Sequence, residues 1–101
     1  MEYLEKDYSE IIVTDKRGIM FKNGDKIVFD DCIGRRYNSE TCVAERDCTA
    51  SPPYFEFFTP DKSTRIIFNK KGLFSKSLNR KRFIELQMQI NQMGYSSYDL
   101  S

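Results

Sequence analysis

The sequence predicts an α+β fold, in which antiparallel β-meanders of about six strands are closed by one C-terminal amphipathic helix. Three observations carry that prediction. Short β-branched and aromatic runs recur through the first two-thirds of the chain, separated by turn signals. The apolar spacing changes to a helical one at Phe83 and keeps it to Met93. A chain of 101 residues with 40% hydrophobic content is one domain, 1–101, with enough apolar material for a single core.

The strands are expected within residues 9–68. "EIIVT" is β-branched, and "DKRG" after it reads as a hairpin loop. "IMFK" follows, with Ile19 and Phe21 on one face. Asn23-Gly24 is the strongest short hairpin signal in the chain, and "KIVFDDCI" then places Ile27 and Phe29 on a common face. These three runs make a first meander. The stretch "GRRYNSETCVAERDCTASPP" alternates near Thr41–Cys48, and Pro52-Pro53 ends any central strand there. "YFEFF" is strand-like, "TPDKST" is a turn led by Pro60-Asp61, and "RIIF" pairs back as a second meander. In "YFEFF" Tyr54, Glu56 and Phe58 share one face. Phe55 and Phe57 take the other, which must fill the core.

The helix is expected over residues 78–93. Phe83, Leu86, Ile90 and Met93 follow i, i+3, i+7, i+10, and Ile84 and Met88 widen the stripe. Ser77 or Asn79 would cap its start and Gly94 its end. The tail 95–101, with Tyr95, Tyr98 and Leu100, reads as an extended segment docked on the domain.

Composition narrows the function. "MEYLEKDYSE" has neither the basic start nor the apolar run of a signal peptide, and no apolar run is long enough to cross a bilayer. A cytoplasmic protein is therefore expected. Cys32, Cys42 and Cys48 are odd in number and form no C-x-x-C pair, so reduced, buried thiols are expected. With no histidine in the chain, a zinc site, a Ser-His-Asp triad and a histidine-activated cysteine are all unsupported. No phosphate loop or dinucleotide fingerprint occurs. Asp30-Asp31 are adjacent, so on a strand they would point to opposite faces, and they read as a solvated loop or strand end. The expectation is a non-enzymatic domain with no cofactor and no metal.

Charge is segregated along the chain. Residues 1–61 hold 13 acids and 8 bases, a net −5, whereas residues 62–101 hold 8 bases and 2 acids, a net +6. All eight of those bases fall between Lys62 and Arg82. Arg80, Lys81 and Arg82 would then occupy the first turn of the expected helix, where cations oppose the helix dipole. Two readings meet here. In one, Lys70, Lys71, Lys76, Arg80, Lys81 and Arg82, with Phe74 interleaved, form a binding patch for an acidic partner. In the other, they are a solvated face or pair with acids from residues 1–61. The binding reading favours a protein surface or self-association between the acidic and basic regions, with a nucleic-acid or other polyanion as the alternative.

The stretches "IIVTDKRGIMFKNGDKIVFDDC" and "RIIFNKKGLFSKSLNRKRFIELQMQI" together resemble the pleckstrin-homology-like (PH-like) domains, the small bacterial ones above all, over residues 9–93. That resemblance implies a PH-like barrel or orthogonal sheet plugged by one helix and used for protein, peptide or anionic-headgroup binding. Here the bases cluster before the helix. In the first hairpin only Lys16, Arg17 and Lys22 occur, beside Asp15 and Asp25, so headgroup binding is not carried over. An open α+β sheet of another topology is the alternative fold.

Overall fold

A computed structural model describes residues 2–38, 53–69 and 75–92, with the Ser75 and Lys76 side chains outside the described set. Its elements run in order β1 (Glu2–Asp7), a 3-10 turn (Tyr8–Glu10), β2 (Ile11–Asp15), β3 (Gly18–Phe21), β4 (Lys26–Val28), a second 3-10 turn (Phe29–Asp31), β5 (Gly34–Asn38), β6 (Tyr54–Phe58), β7 (Lys62–Ile67) and α1 (Ser75–Gln92). The α+β class stands, with seven strands in two open sheets among the described residues. One sheet has the order β1-β7-β6-β5 and the other β2-β3-β4.

The hairpins form where the turn chemistry puts them. Asp15 closes the β2–β3 loop, its carboxylate accepting from the Arg17 and Gly18 N–H groups at 2.8 and 3.2 Å. Asn23 and Asp25 bond each other across Gly24, which takes φ +91°, a conformation that glycine adopts at little cost. Gly18 is required for a different reason: a Cβ there would lie 1.8 Å from the Ile27 carbonyl oxygen of the neighbouring strand. One extra residue, Ile12, sits in a bulge of β2 between Ile11 and Val13.

Several elements differ from expectation. β1 was not expected as a strand, and it pairs parallel to β7, Glu2 beside Lys62 through Asp7 beside Ile67. A capping box then breaks the chain between β1 and β2: the Asp7 carboxylate accepts from Ser9 N–H, and Glu10 accepts from Asp7 N–H at 2.8 Å. "KIVFDDCI" forms a strand only to Val28, because Phe29–Asp31 turn to place the Phe29 ring in the core. The strand β5 lies at the start of "GRRYNSETCVAERDCTASPP", before the Thr41–Cys48 part whose sequence alternates, and β7 begins at Lys62, so the β6–β7 turn is shorter than "TPDKST". Thr41–Cys48, Cys42, Cys48, Met93, Gly94 and the tail 95–101 lie outside the described residues.

The core lies between the sheets and under α1. It joins Ile19, Phe21, Ile27 and Phe29 from the β2–β4 side to Phe55, Phe57, Ile66 and Phe68 from the other. The alternation read in "YFEFF" holds, with Phe55 and Phe57 inward. The helix contributes Phe83, Leu86 and Ile90, as its spacing requires. The Phe83 ring stacks on Phe55 at 4.8 Å between centroids and meets Phe68 edge-on at 5.5 Å. One charged group enters this interior: Lys6 is buried and bridges from β1 to Asp25 of the β3–β4 turn at 2.6 Å.

Candidate protein-docking surfaces

The helix decides where the predicted patch sits. It begins at Ser75, three residues earlier than expected, because "SKSL" contains no breaker and simply continues the turn. Ser77 and Asn79 are therefore internal, and neither is the N-cap. Arg80, Lys81 and Arg82 fall beyond the first turn, which removes the expected conflict with the helix dipole.

All three of these cations are exposed. Successive helical residues are about 100° apart, so they fan around the exposed half of the helix instead of forming a single cluster. Arg82 is already engaged, donating to the Glu85 carboxylate at 3.1 Å. Lys70, Lys71 and Phe74 lie outside the described residues, as does the Lys76 side chain.

A second feature of α1 corrects the expected stripe. Ile84 and Met88 do not widen the core-facing side, being 39% and 54% exposed. They stand i, i+4 apart, with Lys81 three residues before Ile84, so Lys81, Ile84 and Met88 share an outward ridge. Arg80, four residues before Ile84, flanks it.

On the side of α1 toward β2 a cavity of about 600 Å³ opens. Its apolar wall includes Tyr8, Ile11, Phe68 and Leu86, and its polar lip includes Ser9, Thr14, Gln89 and Gln92, with Arg82 and Glu85. Tyr8 and Phe68 stack at 5.3 Å, fixing the wall.

The outer face of the four-stranded sheet is polar at its centre. Strand register aligns Glu5, Arg65, Glu56 and Arg36 in one rung across four strands. Glu56 accepts from Arg36 Nη2 at 2.7 Å, Arg65 Nη2 at 3.1 Å and Ser63 Oγ at 3.1 Å. Its side chain is only 4% exposed. Burial pushes its carboxyl pKa up, but the bonds from Arg36, Arg65 and Ser63 outweigh that and hold it below the usual value. The Arg65 guanidinium lies 3.9 Å from the Tyr54 ring centroid, and that of Arg36 lies 5.5 Å from Phe58. The aromatic rings on this face are thus partly covered by guanidinium groups whose charge Glu56 already offsets.

Asp30 and Asp31 are exposed in the second 3-10 turn, as a solvated pair should be. Cys32 is a half-buried free thiol, bonded to the Val28 carbonyl at 3.5 Å. No group of acidic, cysteine or histidine side chains among the described residues is arranged to hold a metal ion. Among them, too, no helix is long and apolar enough to cross a membrane. Comparison of the chain with protein-family models, curated proteins and solved structures finds no match.

The sequence reading missed both the ridge and the cavity. The ridge was legible in part, since Ile84 lies about 100° round the helix from Phe83, at the margin of the apolar stripe. The cavity depends on how α1 sits against β2, which no local spacing encodes.

Proposed function

We infer that this chain is a non-enzymatic, cytoplasmic binding domain of regulatory type that recognises an acidic protein partner through the outer ridge of α1. The observation that carries this reading is the pair Ile84 and Met88, turned to solvent while Phe83, Leu86 and Ile90 satisfy the core. Apolar side chains flanked by unspent cations make a contact with a greasy centre and a charged rim. Arg80 and Lys81 supply the rim, and the net +6 of residues 62–101 adds an attractive field for an acidic surface. Charge pairing inside the molecule disfavours the polyanion alternative: Arg36 and Arg65 are taken by Glu56, and Arg82 by Glu85.

Affinity capture from native lysate, followed by direct binding of the recovered partner, tests the reading. Lys81→Glu with Ile84→Glu should abolish capture without altering the melting temperature. Lys81→Glu alone should act mainly on the association rate. Undiminished binding by the double variant would refute the ridge. A nucleic acid as the captured species, with affinity falling about 0.9 log units per log unit of salt for each duplex phosphate contacted, would establish the polyanion reading instead.

A further inference from the structure

The cavity between α1 and β2 borders the outer ridge at Met88, which lines it, but Lys81 and Ile84 lie outside its lining and its chemistry is its own. Strand β2 is an edge strand: β3 pairs with one side, and no described strand pairs with the other. Backbone N–H and C=O groups along such an edge are a template for another strand. Over "IIV" this edge carries neither charge nor proline, and its protective feature there is the bulge at Ile12. Ile12 and Val13 are 56% and 45% exposed, on the opposite side of β2 from Ile11, which faces the core.

The lining of the cavity defines what would complement it. Among the described residues its charged members are Arg82 and Glu85, and these neutralise each other at 3.1 Å. An occupant bringing an isolated charge over Phe68 and Leu86 would lose hydration without gaining a partner. The remaining lip groups, Ser9, Thr14, Gln89 and Gln92, both donate and accept hydrogen bonds. From Arg82 to Gln92 the helix rises about 15 Å, the length of four or five extended residues.

We propose that β2 and α1 together hold an extended, uncharged segment of a partner polypeptide, added to the free edge of β2 as a further strand. Alternate side chains of an added strand point to opposite faces. Those on one side enter the cavity over Phe68 and Leu86. Those on the other cover Ile12 and Val13. One ligand thereby accounts for two features that the fold leaves open, and the backbone supplies the regular donors and acceptors that the strand edge and glutamine lip complement.

A random-sequence peptide library displayed on phage, selected against the full chain, tests this. The expected result is enrichment of uncharged sequences with apolar residues at alternate positions. Their binding should slow hydrogen exchange at the Ile12, Val13 and Thr14 amides. Ile12→Lys, and separately Gln89→Ala with Gln92→Ala, should each weaken those peptides at least about tenfold, a loss of 1.4 kcal/mol. All these positions are exposed, except the part-exposed Thr14, which is left unchanged, so folding is preserved. Lys81→Glu with Ile84→Glu should leave the peptides unaffected, which separates this site from the outer ridge. Failure to enrich, enrichment of charged sequences, or protection confined to helix amides would overturn the proposal. So would a concentration-dependent dimer abolished by Ile12→Lys, since the edge would then belong to a second copy of the chain.

Discussion

Replacing Glu56 by alanine should be among the most damaging single changes on the outer sheet face. The carboxylate accepts three hydrogen bonds, from Arg36, Arg65 and Ser63, and its side chain is 4% exposed. Arg36 is 40% exposed, so its guanidinium re-solvates and its share falls to that of a surface pair, below about 1 kcal/mol. Arg65 is 25% exposed and held over Tyr54, so its bond keeps more of the value of a charged hydrogen bond, about 1.5–3 kcal/mol. The buried Ser63 hydroxyl, left without its acceptor, adds about 1 kcal/mol. The expected loss for Glu56→Ala is therefore about 3 kcal/mol, at the lower end for a broken buried pair. In a domain of this size that lowers the melting temperature by at least about 12 °C. Urea denaturation of Glu56→Ala, Arg36→Met, Arg65→Met and both double variants would separate the contributions. The Glu56–Arg65 coupling energy should exceed the Glu56–Arg36 coupling. A total loss under about 1 kcal/mol, or the reverse order of couplings, would refute this account of the rung.

Leu86→Ala should cost about 2–5 kcal/mol because the side chain is buried against the sheets, whereas Ile84→Ala should stay within about 0.5 kcal/mol; denaturation midpoints of the two variants test which helix face is the core face. Gly18→Ala should destabilise by about 1–3 kcal/mol or more, because its Cβ would collide with the Ile27 carbonyl and the backbone must move, and an unchanged midpoint would disprove that close approach. Asp25 is held below the usual carboxylate pKa first by the bond from Lys6 and then by Asn23. Its folded pKa is lower than its unfolded one, so this stabilisation is present above the ordinary aspartate value and disappears as pH falls through the folded one. Stability measured against pH should therefore decline on the acid side less steeply in Asp25→Asn than in the wild type.

What could be read in advance was whatever local spacing encodes. The hairpin turns at Asp15–Gly18 and Asn23-Gly24, the inward Phe55 and Phe57, and the helix face of Phe83, Leu86 and Ile90 all follow from periods of two or 3.6 and from turn residues. β1 escaped because four of the six residues of "EYLEKD" are charged, with no period-two alternation, and its partner lies far along the chain. Its end was nonetheless signalled by "DYSE", a capping-box pattern. The helix start was misplaced because capping residues were sought beside the apolar run, while "SKSL" extends it by propensity alone. Of the candidate patch, exposure of Arg80–Arg82 was legible from charge; their spread around the helix and the pairing of Arg82 with Glu85 followed only once the helix register was placed. The buried state of Glu56 was not legible, since it depends on Arg36 and Arg65 arriving from two other strands.

The parallel pairing of β1 with β7 constrains the order in which the chain can assemble. Each of its six residue pairs, from Glu2 with Lys62 to Asp7 with Ile67, joins positions 60 apart. The β2–β3 hairpin closes over a two-residue loop, so it can form while most of the chain is still being made. β1 has no such option. It emerges from the ribosome well before β7 and must wait for it, since closing so long a loop is entropically unfavourable until the core rewards it. Throughout that interval it is an unpaired strand. The charges at Glu2, Glu5, Lys6 and Asp7 then act as a safeguard against pairing with another nascent chain, and only docking turns Lys6 into an interior residue. Interactions of β1 should be the last to form, so substitutions there should speed unfolding and leave the folding rate unchanged.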